Sequence, residues 1–352
     1  MAKNKIYPFA VASIRSMENK LLTKQKLMQM ADAKDAAEAI RILCETDYGK
    51  TEIDDIHDFE KMIQNHLEEE YQAVGKLIPS ETFMDIFRFK NDYHNIKVLI
   101  KEEISKVNGK KYLIQGGSIP LDDLQKHFRD RNYMELPNIK ADAVQEAIEM
   151  YAKTKNARYI DDILDKACFQ VMSDAAQKLG NDYVSRYVRK LADVTNLKTL
   201  LRCWKLERSQ EELEESIVPG GELPQELIVR AFKNDIFQVM KETSYGTLCD
   251  TYMPQGFTVF EKACDDYLMG YVKDAKYKTL TPEPVAAYIL AKETEAKCVR
   301  IIMTCKLQNI DAETIKERVR EAYVYSWYHW RQGHSYGLPC SGDRYFPCVQ
   351  CR

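Results

Sequence analysis

The sequence predicts an all-α protein that repeats one helical unit three times. Apolar residues recur at spacings of three and four, as they do from Val184 to Trp204, whereas alternating strand patterns never persist. Three landmarks return in the same order about every hundred residues, which is the mark of an internal repeat. Turn signals at Asn108-Gly109, Gly116-Gly117 and Pro219-Gly220-Gly221 separate the copies. We therefore expect three helical lobes in tandem.

Each copy opens at a helix start that follows a turn. These openings are Leu22-Thr23, then Gly116-Gly117-Ser118-Ile119-Pro120, then Gly220-Gly221-Glu222-Leu223-Pro224. An acidic-basic element follows: Phe59-Glu60-Lys61, then Asp165-Lys166-Ala167-Cys168, then Phe260-Glu261-Lys262-Ala263-Cys264. The predicted divisions are 1–115, which includes an N-terminal helix, then 116–218, 219–324, and a separate segment 325–352.

Each copy closes on a long helix that carries an acid, an amide three residues later and a base two after that. The sets are Asp92, Asn95 and Lys97; Asp193, Asn196 and Lys198; and Glu295, Cys298 and Arg300, where the amide is lost. The base lies about 140° around the helix from the acid, so the three groups do not converge on one atom. We expect the acid and amide to satisfy buried polar groups where two helices cross, and the base to face another partner or water. The alternative is a contact surface for another subunit.

Smaller signals complete the helical interpretation. An echo ties Glu45-Thr46-Asp47-Tyr48-Gly49 to Glu242-Thr243-Ser244-Tyr245-Gly246. Ser80 and Thr281 are predicted helix caps. The apolar stretch near the N-terminus is interpreted as an amphipathic helix and not as a signal peptide, with one face formed by Ala10, Ile14, Met17 and Leu21.

Composition excludes several classes of function. With 352 residues, of which 45 % are hydrophobic, the chain can bury a large core. A net charge of −3 with interspersed signs gives no basic surface for nucleic acid. No apolar run of 18 residues exists, so no transmembrane segment is expected. The ten cysteines are interpreted as reduced thiols, and the seven within the repeats are expected to be buried as small apolar side chains.

No catalytic constellation is found. A phosphate-binding loop, a nucleophile elbow and a His-Glu-x-x-His motif are all missing, and the six histidines are dispersed. We therefore expect a protein that is not an enzyme, with no catalytic, cofactor-binding or metal-binding residues and no cofactor. Cys348 and Cys351, with Cys340 and His334 upstream, have ligand spacing, but the segment shows no scaffold for zinc.

The chain resembles the C subunit of bacterial and archaeal V-type (A/V-type) ATP synthases, which is related to the d subunit of the eukaryotic vacuolar proton pump. The likeness runs from Tyr7 to about Val324. It is carried by the opening Tyr7–Leu22, by Thr46-Asp47-Tyr48-Gly49, by the Asp92 and Asp193 helices, and by Ala291-Lys292-Glu293-Thr294-Glu295 with Arg300-Ile301-Ile302.

The resemblance implies a funnel of three lobes around a pseudo-threefold axis. Its mouth would take the central shaft, made of the D and F subunits, and its base would rest on the membrane proteolipid ring. The protein would then be a non-catalytic rotor adaptor, cytoplasmic and peripheral to the membrane, with a polar and charged contact to the shaft. The alternative is a helical-repeat scaffold that binds another cytosolic partner.

The segment from Tyr325 to Arg352 departs from the family. It is rich in Trp, Tyr, Gly, Pro and Cys, and includes the aromatic cluster Trp327, Tyr328 and Trp330. One choice of codons, read one base later, resembles the opening of the F subunit. We hypothesise that this tail is an out-of-frame read or a sequencing artefact, and we expect it to be disordered.

Overall fold

Helix dominates the protein. A computed structural model describes residues 6–78, 81–136 and 139–324, and it is 76 % helical with no strand in the described residues. The all-α prediction is confirmed. The predictions for the tail 325–352, including those for its cysteines, lie outside the described residues.

The division 1–115 contains five α-helices, of which the first precedes the repeated unit. They are α1 (Ile6–Glu18), α2 (Lys24–Asp32), α3 (Ala36–Cys44), α4 (Phe59–Gly75) and α5 (Glu81–Ser105), with 3-10 turns at Asp47–Lys50 and Ile56–Asp58.

The later copies each contain one long helix near their end. A 3-10 turn at Lys110–Tyr112 lies at the end of the first copy. The second copy contains α6 (Leu121–Arg129), α7 (Ala141–Thr154), α8 (Arg158–Leu179), α9 (Asp182–Lys205) and α10 (Gln210–Ser216), with a 3-10 turn at Tyr133–Glu135. The third copy contains α11 (Gln225–Lys233), α12 (Ile236–Lys241), α13 (Gly246–Tyr252), α14 (Phe257–Lys273), α15 (Glu283–Leu307) and α16 (Ala312–Arg318), with 3-10 turns at Met253–Gln255 and Asp274–Tyr277.

Side-chain caps start several of these helices. Asn181 accepts a hydrogen bond from the N–H of Val184 at the start of α9, and Thr23 caps α2 in the same way. The predicted cap Thr281 is wrong: α15 begins at Glu283 with Pro282 in the cap position, and the Thr281 hydroxyl makes no hydrogen bond to the described residues. Thr281 is one residue too early for its oxygen to reach the free N–H groups of the first turn. The predicted cap Ser80 lies outside the described residues.

The three long helices end in the same way. Lys106, Glu207 and Asn309 follow α5, α9 and α15 and have φ angles of 56°, 51° and 54°. This left-handed conformation is unfavourable for residues with a Cβ and commonly stops a helix. Each of the three residues lies fourteen positions beyond the acid of its own helix, so the repeat seen in the sequence is reproduced in backbone geometry.

Contacts between copies follow one rule. The long helix of each copy packs against a helix of the next: α5 against α8, α9 against α14, and α15 against α4. The last copy therefore returns to the first. The predicted apolar stripe of α9 is largely buried, but its last member, Trp204, is 41 % exposed and packs edge-on against Phe237 at the helix end.

Candidate functional site: three buried carboxylates

Each of the three long helices buries one carboxylate. Asp92 and Asp193 are fully buried, and Glu295 is 5 % exposed. Burial raises the pKa of all three carboxyl groups, and hydrogen bonds to the charged form oppose that shift. A carboxylate removed from water needs hydrogen-bond donors. In each case at least one donor is a backbone N–H at the start of the next copy.

Asp92 on α5 holds the loop that leads into the second copy. Its carboxylate accepts hydrogen bonds from the backbone N–H groups of Ser118 (3.0 Å) and Ile119 (3.2 Å) and from the Ser118 hydroxyl (2.6 Å). One turn along the helix, the Asn95 amide donates to the carbonyl of Ile114 (2.8 Å) and accepts from its N–H (2.9 Å). One face of α5 thus satisfies the backbone of this loop.

Asp193 on α9 makes the corresponding contacts to the third copy. It accepts from the N–H of Leu223 (2.9 Å) and from the hydroxyl of Tyr245 (2.8 Å). Asn196 pairs with both backbone groups of Val218, at 2.9 Å to the carbonyl and 2.8 Å from the N–H. The register matches that of Asp92 and Asn95.

Glu295 on α15 closes the series by binding the first copy. Its carboxylate accepts a hydrogen bond from the N–H of Leu22, 273 positions earlier in the chain. Leu22 stands where Ile119 and Leu223 stand in the other copies. Tyr48, which echoes Tyr245 in sequence, is fully buried, and burial followed by the charge of Glu295 raises the pKa of its phenol.

Cys298 replaces the amide at this third site. Its thiol donates to the carbonyl of Arg320, with sulfur and oxygen 3.8 Å apart. A thiol is a weak donor and a weak acceptor, so this contact is weaker than those of Asn95 and Asn196.

A lysine three residues before the acid adds a second contact at two of the sites. Lys190 donates to the hydroxyl of Tyr267 (3.0 Å), and Lys292 donates to Nε2 of His66 (3.0 Å) as well as to Glu295 (2.9 Å). Burial, followed by the charge of Lys292, lowers the pKa of His66 to about 3, so the ring is neutral and accepts at Nε2. Sequence reasoning missed this pair, although a lysine at the same offset before Asp193 and Glu295 is a visible signal.

The bases point away from the carboxylates and bind acids on the neighbouring helix. The pairs are Lys97 with Asp165 (2.6 Å), Lys198 with Asp265 (2.8 Å), and Arg300 with Glu60 (2.6 and 2.8 Å). The prediction that the base faces a different partner is therefore confirmed. Glu60 and Asp165 belong to the repeated acidic-basic element, whereas Asp265 lies one turn beyond its counterpart Glu261.

Asp265 contacts three cationic side chains. Burial alone would raise its pKa, but Lys198 and Lys297 together hold it at about 2. Arg320 also donates to it at 2.8 Å. This carboxylate therefore joins α9, α15 and the segment after α16 through charge-assisted hydrogen bonds.

The acids and amides stabilise the chain that carries them. Each acid binds a backbone N–H of a neighbouring copy, which confirms that it satisfies buried polar groups. These groups lie in connecting segments and not where two helices cross, so that part of the prediction is wrong. Within the described residues no group of three or more His, Cys, Asp or Glu side chains is placed to hold a metal ion. Six of the seven cysteines in the repeats are buried as predicted, but Cys44 is exposed, because it lies at the end of α3. None of the helices described has the length and apolar character needed to cross a bilayer.

Residues 10–318 match the family model described as the ATP synthase (C/AC39) subunit, and the chain belongs to this family. It is a structural, non-catalytic subunit of a rotary ATPase or ATP synthase.

Among individual relatives, the chain is 26 % identical over 317 residues to the C subunit of the V-type sodium ATPase of Enterococcus hirae, covering 88 % of this chain and 97 % of that one. It is 25 % identical over 341 residues to the C subunit of the A-type ATP synthase of Methanocaldococcus jannaschii, covering 88 % and 85 %. It is 23 % identical over 332 residues to the corresponding protein of Thermococcus kodakarensis, covering 90 % of each.

Proposed function

We propose that this subunit is the adaptor of the rotor, which couples the central shaft of the D and F subunits to the membrane proteolipid ring and carries torque between them. It works at the cytoplasmic face of the membrane, without a membrane span of its own. We further propose that the three copies, at 1–115, 116–218 and 219–324, form three lobes of a funnel around a pseudo-threefold axis. The family match favours this role over that of a scaffold for an unrelated partner.

The observation that carries the proposal is the hydrogen bond from Leu22 to Glu295. It repeats, between the last copy and the first, the contacts that Asp92 and Asp193 make between consecutive copies. Three equivalent contacts that return to their starting point favour a cyclic arrangement over an open row. A cyclic arrangement of repeats leaves a central space in which a shaft can be held.

Rigidity is the second argument. The acids and amides of the repeated set, together with Cys298, are tied to backbone of an adjoining segment, and each base is paired with a neighbouring helix. Such ties resist the relative rotation of copies that torque would otherwise produce.

Co-purification tests the proposal. The chain is co-expressed with tagged D and F subunits, and stable capture at low salt with release as the salt concentration rises is expected for a polar and charged interface. The proteolipid ring in detergent is presented to the same complex, and all components should elute together. Failure to bind the shaft under any salt condition would refute the role, and salt-independent capture would refute the charged interface.

A further inference from the structure

The junction between the last and the first copies differs from the other two in its covalent structure. At the first two junctions a short stretch of the chain runs directly from the long helix into the next copy. At the third, the residues that meet α15 come from two distant parts of the chain, Leu22 on one side and Arg320 on the other. Tyr323 joins these parts, because its hydroxyl donates to Glu18 at 3.2 Å. At this junction only non-covalent contacts hold the two copies together, whereas at the other two junctions the peptide chain also connects them.

A separate apolar cluster fills this junction. It combines side chains of α2, α3 and α4 with side chains of α15 and α16, and it is distinct from the larger core of the protein. Its almost fully buried members include Leu27, Met30, Leu43 and Ile63 from the first copy and Val299, Ile302, Met303 and Ile315 from the last. Each such side chain stabilises the contact by about 1.5–3 kcal/mol relative to exposure. Parting the copies would expose most of them together.

Polar contacts cross the same junction at its edges. They are Arg300 with Glu60, Lys316 with Asp32 (2.6 Å), Lys24 with Glu321 (3.3 Å), and the Lys306 ammonium with the carbonyl of Ala33. The bidentate Arg300 pair fixes orientation as well as distance. An apolar centre with a polar rim is the usual anatomy of a well-packed interface.

We propose that this junction is a permanent clasp, so that the last and first copies do not part during the working cycle and the shaft enters the closed set along its axis. Only the route by which the shaft enters rests on the proposed function. The closure itself is a property of the isolated chain.

Hydrogen exchange at three equivalent amides tests the closure without any partner. The N–H groups of Leu22, Ile119 and Leu223 each bind the acid of a long helix, so their exchange rates in the isolated full-length chain report the opening of the three junctions. A clasp predicts that the Leu22 amide exchanges within about tenfold of the other two. Exchange faster than that range at Leu22 alone would overturn the proposal.

A covalent staple tests the route of entry. Asp32→Cys and Lys316→Cys place thiols on either side of the clasp for a short bis-maleimide, in a background where Cys44, Cys340, Cys348 and Cys351 are serine. Glu103→Cys with Arg131→Cys is the matched control, because this exposed pair (2.7 Å) spans the first junction, which is already continuous. The association rate with the D and F subunits should change less than about twofold in both stapled proteins.

A tenfold slower association in the Asp32 and Lys316 staple alone would show that the shaft needs this junction to open. If neither the stapled nor the unstapled chain binds D and F, the proposed function fails, while the exchange experiment still decides whether the clasp exists.

Discussion

The loop glycine Gly117 lies directly against the buried carboxylate of Asp92, so close that an added Cβ would stand 2.2 Å from Oδ1. Gly221 has the same relationship to Asp193, also at 2.2 Å. The carboxylate is held in place by its hydrogen bonds to backbone groups, so it cannot move away to make room for a Cβ. The second glycine of each Gly-Gly pair is thus required by the acid and not by the turn, whereas the first, with φ of 81° at Gly116 and 90° at Gly220, is required by the turn.

Gly117→Ala and Gly221→Ala should therefore each destabilise the protein by about 1–3 kcal/mol, the usual cost of overfilling a packed site. The measurement is the free energy of unfolding in urea. Gly270→Ala is the matched control, because a Cβ added at this position in the interior of α14 would meet nothing within 4 Å. That change should be neutral or stabilise by up to about 1 kcal/mol. Equal effects at all three glycines would contradict the explanation.

Tyr245→Phe and Asp193→Asn should show strong energetic coupling. The Tyr245 hydroxyl donates to a carboxylate at 2.8 Å inside the protein, and a hydrogen bond to a charged group contributes about 1.5–3 kcal/mol. A double-mutant cycle on unfolding free energies should give a coupling of about 1–3 kcal/mol. Tyr277→Phe, at a side chain that is 87 % exposed, is the control and should change nothing.

His66 should make the protein less stable in mild acid. Its pKa falls from 6.5 when unfolded to about 3 when folded, chiefly through burial. Between these values the unfolded chain binds one more proton, so stability is complete above pH 6.5 and declines toward pH 3 by about 1.4 kcal/mol per pH unit.

The His66→Gln variant keeps an acceptor for Lys292 but does not titrate. Its unfolding free energy should lose that part of the pH dependence between pH 6 and 4, while an exposed His57→Gln control retains it. Parallel pH profiles for the wild type and His66→Gln would refute the assignment.

Asp265→Asn should destabilise the protein at neutral pH. Lys198 and Lys297 hold the pKa of this carboxyl at about 2 against burial, so its contribution of about 2 kcal/mol is present above pH 4 and is lost as the pH falls toward 2. Thermal denaturation at pH 7 and at pH 2.5 should show a large difference from wild type only at pH 7. Asp250→Asn, at an acid that is half exposed and pairs with Lys241 at 3.3 Å, is the control.

Much of this arrangement could be predicted from the sequence because repetition carries spatial information. The common spacing of acid, amide and base predicted that Asp92 and Asp193 serve the same purpose, and the echo of Tyr48 in Tyr245 pointed to equivalent places. The partners of the bases could not be predicted. A position on a helix fixes the direction in which its side chain leaves that helix, but it does not say which other helix packs there. Asp265 shows this well, since it lies one turn from the residue that the repeat aligns.

The contacts of the last copy could not be predicted from the sequence, for a different reason. A repeat of period about one hundred describes an open row and a closed set equally well, so nothing in the pattern predicted that Glu295 would bind Leu22. The pair Lys292 and His66 was missed because its counterpart is Lys190 and Tyr267, in which the acceptor differs in type. In both copies the lysine donates to an acceptor at the corresponding position, but the acceptor is a tyrosine hydroxyl in one copy and a histidine nitrogen in the other.

The left-handed residues Lys106, Glu207 and Asn309 set the lengths of the three long helices. Because each lies fourteen positions beyond the acid of its own helix, the three helices extend nearly the same distance past their acids, about 18–20 Å. The ends of the three helices therefore lie at equivalent points of their copies. An insertion of a few residues in just one of these helices would displace its end relative to the other two, even where every local contact survived.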